Sequence, residues 1–156
     1  MRLRSVALSL AVVGAGAIAF VAPASAEPTK TGIETFTFTS DFTEGGGPVT
    51  ASGVINDTGM DVVVTDTEDT FDFGANGHTT VFHSPLKQRD QFNEETCTFH
   101  FVEEGVYVFG NGTGEWANYN GSGRYRAEGQ ATNACGATPE GTITITAKGP
   151  INLAED

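Results

Sequence analysis

Apolar and polar residues alternate at a spacing of two along most of the chain, and no segment after residue 26 carries the three-and-four spacing of a helix. In Thr35-Phe36-Thr37-Phe38-Thr39-Ser40-Asp41-Phe42, Phe36, Phe38 and Phe42 share one face, and Thr35, Thr37 and Thr39 share the other. Val49, Ala51, Gly53 and Ile55 alternate with Thr50, Ser52, Val54 and Asn56. Near the end of the chain, Ile143, Ile145 and Ala147 point one way and Thr142, Thr144 and Thr146 the other. The same reading predicts strands over 60–65, 70–73, 78–84, 96–102, 106–109, 116–119 and 123–133. Turn chemistry separates them at Gly45-Gly46-Gly47-Pro48, Asn56-Asp57-Thr58-Gly59, Ala75-Asn76-Gly77, Glu103-Glu104-Gly105 and Asn111-Gly112-Thr113-Gly114. Residues 85–93 are polar and irregular and read as the longest loop, with 27–32 and 154–156 as frayed ends. These ten segments, read as about eight or nine strands, describe an all-β domain. The expected fold is a single antiparallel eight-stranded β-barrel of the up-and-down type, with a β-sandwich as the alternative.

The first 26 residues break the pattern. Arg2 and Arg4 precede an apolar run from Val6 to Ala22, which closes on Ala24-Ser25-Ala26. A basic start, a short apolar stretch and a small-x-small site make a cleaved signal peptide over 1–26, with the barrel domain over 27–156. The apolar run sits at the lower limit for spanning a bilayer, so no stable membrane insertion is expected after cleavage. The expected location is secreted, and the Ala/Val/Gly-rich leader has a bacterial look.

Charge narrows the partners. The whole chain has 8 basic and 20 acidic side chains, a formal net charge of −12. Cleavage after Ala26 removes two arginines and no acid, leaving −14. Nucleic acid is therefore excluded as a partner, because phosphate neutralisation needs the opposite sign. Dispersed acids at turns and strand ends read as solubilising charge. The two cysteines, Cys97 and Cys135, are an even pair in an exported chain and are expected to form a disulfide. The closed loop spans 97–135, for which chain entropy gives about 4 kcal/mol. Counting by twos places both thiols on inward faces, Cys97 with Phe99 and Phe101, and Cys135 with Tyr125.

The run Asn120-Gly121-Ser122-Gly123-Arg124-Tyr125-Arg126-Ala127-Glu128-Gly129 resembles the Gly-x-Gly-x-aromatic strand of the allene oxide cyclase and dirigent barrel superfamily. Asp69-Thr70-Phe71-Asp72-Phe73, Thr96-Cys97-Thr98-Phe99 and the second cysteine, Cys135, follow the order of features in small exported bacterial proteins of that type. The resemblance covers about residues 69–153. It implies an eight-stranded barrel able to enclose a small apolar ligand. Its plant members cyclise a fatty-acid epoxide or steer phenoxy-radical coupling, but their polar pocket residues have no matching motif here. The glycines read as structural, allowing an aromatic ring to pass close across the strand.

No residue group in the sequence names a reaction. His78 and His83 fall on opposite faces, and His100 opposes the Cys97 face; all three read as surface or rim side chains, and no metal site is expected. Asp66, Glu68, Asp69 and Asp72 lack the spacing of a calcium loop and read as a solvated edge. There is no Gly-x-Ser-x-Gly, and no catalytic residue or cofactor is assigned. Trp116, Tyr119 and Tyr125 are the densest aromatic group, weak candidates for a ligand pocket beside the simpler reading of core packing. The resulting expectation is a non-catalytic exported barrel that binds a small apolar ligand or an extracellular partner, with oligomeric state open. A cyclase or stereo-directing enzyme is the alternative.

Overall fold

The computed structural model describes residues 29–42, 45–136 and 138–154. Eight strands follow one another: β1 (Thr29–Asp41), β2 (Gly47–Ser52), β3 (Asp57–Thr65), β4 (Glu68–Asp72), β5 (His78–Asn93), β6 (Thr98–Gly112), β7 (Tyr119–Thr132) and β8 (Glu140–Ala154). Each pairs antiparallel with the next, and β8 returns to β1 in a register from Thr29↔Ala154 to Asp41↔Thr142. The sheet is thus a closed eight-stranded up-and-down barrel, not a sandwich, and closure removes the free edges a sandwich would have to protect. The leader over 1–26, its cleavage point, and Glu44, Glu155 and Asp156 lie outside the described residues.

The barrel has two unlike ends. Short 3-10 turns at Gly74–Asn76 and Gly114–Trp116 close one of them. There Phe73 stacks on Trp116 at 4.2 Å between ring centroids, Tyr119 meets Phe109 at 4.7 Å, and Phe36 touches Phe71, Phe109, Trp116 and Tyr119. Phe36 and Trp116 are fully buried. These tilted and edge-on contacts are the arrangements aromatic quadrupoles prefer. At the other end, β5 to β8 and β1 continue while β4 begins only at Glu68, so the wall on the β3–β4 side stops early. Phe42 meets Phe99 and Phe101 edge-on there at about 6 Å, and all three are half-buried.

Several boundaries differ from the sequence reading. Residues 85–93 are not a loop: they continue β5 and pair with Thr98–Gly105 across a bulge between Pro85 and Lys87. Every residue from Leu86 to Asn93 is exposed, so this stretch lacks a buried face and hence alternation. Glu103-Glu104-Gly105 is not a turn but mid-strand in β6, where Gly105 leaves room for the Tyr125 ring; a Cβ at Gly105 would lie 2.3 Å from Tyr125 Cε1. Residues 116–119 are not a strand: Trp116 ends the 3-10 turn Gly114–Trp116 and β7 begins only at Tyr119, while Thr29–Gly32 and Ala154 pair in the seam rather than fray.

The Cys97–Cys135 disulfide is present, with Cα atoms 5.1 Å apart. Its position differs from the parity argument. Cys97 precedes β6 with φ of 50°, and β7 ends at Thr132 before Asn133, whose φ is 56°. Both turns break the count of two, so the bridge lies at the rim, Cys135 being exposed, and not on the core side. It ties the turn before β6 to the segment after β7, and Ala134 N–H donates to the Cys97 carbonyl at 2.9 Å.

Candidate functional site

A cavity of about 80 Å³ lies in the lumen between the aromatic plug and the Phe42–Phe99–Phe101 trio. Phe38, Phe71, Val81, Phe109, Ala127, Ile145 and Ala147 make its apolar walls, and Tyr107 closes one side. Four polar side chains reach it: Asp69 from β4, His83 from β5, Glu103 from β6 and Tyr125 from β7. All four obey the strand alternation that also turns Phe71, Val81, Phe101 and Ala127 inward.

The polar groups are paired two by two. His83 Nε2 lies 3.1 Å from Asp69 Oδ2, and Tyr125 O–H donates to Glu103 Oε1 at 2.6 Å. The His83 ring meets the Tyr125 ring edge-on at 5.8 Å, which brings the two pairs together. The His83 and Asp69 side chains are 24% and 11% exposed, so the site communicates with solvent where the β3–β4 wall stops. His83 N–H is anchored to the Thr67 carbonyl in that turn.

A third carboxyl, Asp61 of β3, stands behind this pair. It is 5% exposed and its Oδ1 has no hydrogen-bond partner. Burial, and then the neighbouring Asp69 charge, push its pKa up to about 7. The hydrogen bond to Asp69 raises the His83 pKa against the opposing effect of burial. Burial, and then the bond to Glu103, raise the Tyr125 hydroxyl.

Glu34 of β1 is deeper and fully buried. Its Oε2 accepts the Ile55 N–H at 2.9 Å, while Oε1 is unpaired, as are Thr79 Oγ1, Trp116 Nε1 and the Tyr107 and Tyr119 hydroxyls. Burial raises Glu34, and burial with the Glu34 charge raises Tyr107 to about 12 and Tyr119 further.

Positive charge is turned away from the lumen. All six Lys and Arg among the described residues are exposed. Five of them, Lys87, Arg89, Arg124, Arg126 and Lys148, share the outer face of β5–β8. Arg126 there bridges Glu104 at 2.9 Å and Glu128 at 3.4 Å.

The residues singled out by sequence divide accordingly. Tyr125 lines the cavity, whereas Trp116 and Tyr119 belong to the aromatic plug. His78 binds Thr113 at the surface and His100 faces Glu128, as rim and surface histidines do. His83 does not: it faces the lumen. Asp69, read as part of a solvated acidic edge, is buried beside it, while Asp66 and Asp72 are exposed. Among the described residues no group of three or more His, Cys, Asp or Glu is arranged to hold a metal ion. Asp61 was not singled out by the sequence, and Glu103 was read only as turn and solvated acid; the usable signal was a polar residue in the inward phase of a strand, as Glu103 is with Phe99 and Phe101.

No family model matches the chain, and no curated protein or solved structure matches it either.

Proposed function

We propose that this protein is an exported barrel that binds a small, largely apolar molecule in its lumen without turning it over. The observation that carries the reading is the apolar cavity with its polar groups gathered on the side open to solvent. Apolar walls with a few convergent polar groups are the usual make-up of a small-molecule site. The disulfide and the leader-like start support export. Size bears on the alternative. A volume of about 80 Å³ is well below the roughly 300–1,000 Å³ of pockets that engulf a drug-sized ligand. A fatty-acid epoxide of the kind handled by the resembling plant enzymes would not fit. Native mass spectrometry of protein from its own host, with Ala127→Leu as a cavity-filled control, tests the reading. A retained small molecule that the control lacks is expected. Equal masses for the two, after correction for the substitution, together with no ligand-induced shift at the lining residues, would refute it.

One observation favours a second reading. The Asp69–His83 pair beside an apolar cavity has the geometry of an imidazole held and charged by a carboxylate, which suits proton transfer. An enzyme of this kind would lose turnover in Asp69→Asn while still binding its substrate.

A further inference from the structure

We infer that the ligand of this lumen is a small amine, bound as its ammonium ion between Asp69 and Glu103 with its alkyl part in the apolar cavity. The inference rests on the binding reading above and gives that site a ligand class.

The first argument is charge balance. Asp61, Asp69 and Glu103 place three carboxyls around one imidazole, and no Lys or Arg among the described residues turns inward. Asp69 uses Oδ2 on His83 and Glu103 uses Oε1 on Tyr125. Each carboxylate oxygen has more than one acceptor direction, so both groups keep capacity for a further donor at the cavity. The unpaired and buried Asp61 Oδ1 is an independent sign that the region lacks donors. An ammonium group supplies up to three, together with the missing positive charge. A carboxylate ligand would supply neither and would meet the like charges of Asp69 and Glu103.

The second argument is shape. The polar groups sit toward the mouth, and the inner walls are Phe71, Phe109, Ala127 and Ala147. An amphiphile therefore enters with its hydrocarbon first and leaves its charge near Asp69 and Glu103. About 80 Å³ is room for roughly three water-sized groups, which matches a short branched alkyl chain. The Phe38, Phe71, Tyr107 and Tyr125 rings add the wall chemistry that cations favour. The rise of Asp61 toward neutrality agrees, since the folded protein keeps a proton where positive charge is short.

Three ligands of nearly equal size separate the possibilities: isobutylamine, isobutanol and isobutyrate. Each is titrated into the full disulfide-bonded protein at pH 7 and constant ionic strength, following backbone amide shifts of the lining residues. Isobutylamine is expected to bind saturably and at least about tenfold more tightly than isobutanol, with no lumen shifts from isobutyrate. Glu103→Gln keeps an acceptor for Tyr125 and should remove most of the amine's advantage over isobutanol. Asp69→Asn gives the same readout if the first variant folds poorly. Isobutanol binding as tightly as the amine, or isobutyrate entering the lumen, would overturn the amine assignment and leave the binding reading standing. Failure of all three ligands to shift the lining residues would overturn both.

Discussion

Asp61→Asn should make the protein more stable above neutral pH and leave it unchanged in acid. The Asp61 carboxyl is 5% exposed, and its pKa rises from an ordinary 3.8 to about 7. A carboxyl whose folded pKa lies above its unfolded value binds its proton more tightly when folded. Stability is then full below about pH 4, falls as pH rises through the interval up to about 7, and levels off above it. A shift of about three units at 1.36 kcal/mol per unit makes the cost of ionised Asp61 at pH 8 about 4 kcal/mol. The amide of asparagine has nearly the same shape and never ionises, so the variant escapes that cost. For a domain of this size the gain corresponds to a melting-temperature rise on the order of 10 °C. The assay is thermal unfolding by circular dichroism from pH 4 to 8 at fixed ionic strength, wild type against variant, with the disulfide intact. The two curves should coincide near pH 4, separate up to about pH 7 and keep that gap to pH 8. A variant equal to or less stable than wild type at pH 8 would show that the ionised carboxylate is accommodated, and the desolvation argument would fail. His83 acts in the same direction: its raised pKa contributes stability below its unfolded value, which is lost as pH rises through the folded one. Wild type should therefore keep a residual slope near neutrality that the Asn variant shares.

Cys97→Ser should destabilise by roughly 2–5 kcal/mol in denaturant unfolding, and alkylation of the native wild type should find no free thiol, since the bridge spans 38 positions of sequence. Gly105→Ala should cost roughly 1–3 kcal/mol, because its Cβ would lie 2.3 Å from the Tyr125 ring and 2.5 Å from the Ser84 carbonyl oxygen; near-ultraviolet circular dichroism should register the displaced ring, and an unchanged spectrum and stability would contradict the packing. Monovalent salt should raise the melting temperature modestly by screening an acidic chain of net −12, and millimolar calcium at the same ionic strength should add nothing beyond it. A calcium-specific rise abolished by chelator would contradict the solubility role of the acids and direct attention to Asp66, Glu68, Asp69 and Asp72.

The fold was legible wherever a strand has one dry and one wet face. Phe36 and Phe38 against Thr35 and Thr37, or Ile143 and Ile145 against Thr144 and Thr146, announce their parity directly. It was illegible where that contrast fails. Beyond Pro85, β5 extends past the short β3–β4 wall with all of Leu86 to Asn93 exposed, so nothing in the local pattern separates it from a loop. In β6, Gly105 imitates a turn because it makes way for an aromatic ring contributed by another strand, a fact no local window contains. The site was partly written in the chain. Asp69 shares its phase with Phe71 and Phe73, His83 with Thr79 and Val81, and Glu103 with Phe99 and Phe101. Each is a polar residue where an apolar one would serve packing better. What the sequence did not contain is that closure carries β4, β5, β6 and β7 around to set these residues at one mouth.

Both the stability behaviour and the ligand preference follow from where the barrel puts its charges. The outer face of β5–β8 collects Lys87, Arg89, Arg124, Arg126 and Lys148, while the lumen receives Asp61, Asp69, Glu103 and, deeper, Glu34. An interior built only for stability would pack apolar residues at these positions, since burying a carboxyl without a full set of partners is unfavourable. The closed end keeps Phe36, Phe73 and Trp116 in ring contact but leaves Glu34 Oε1, Trp116 Nε1 and the Tyr119 hydroxyl unpaired. The mouth departs from the rule too, with Asp61 Oδ1 unpaired behind the paired Asp69 and His83. Departures from local consistency concentrate where function holds a residue against its structural preference. A substitution that quiets the mouth, such as Asp61→Asn, therefore stabilises the barrel by removing part of what prepares it for a cation.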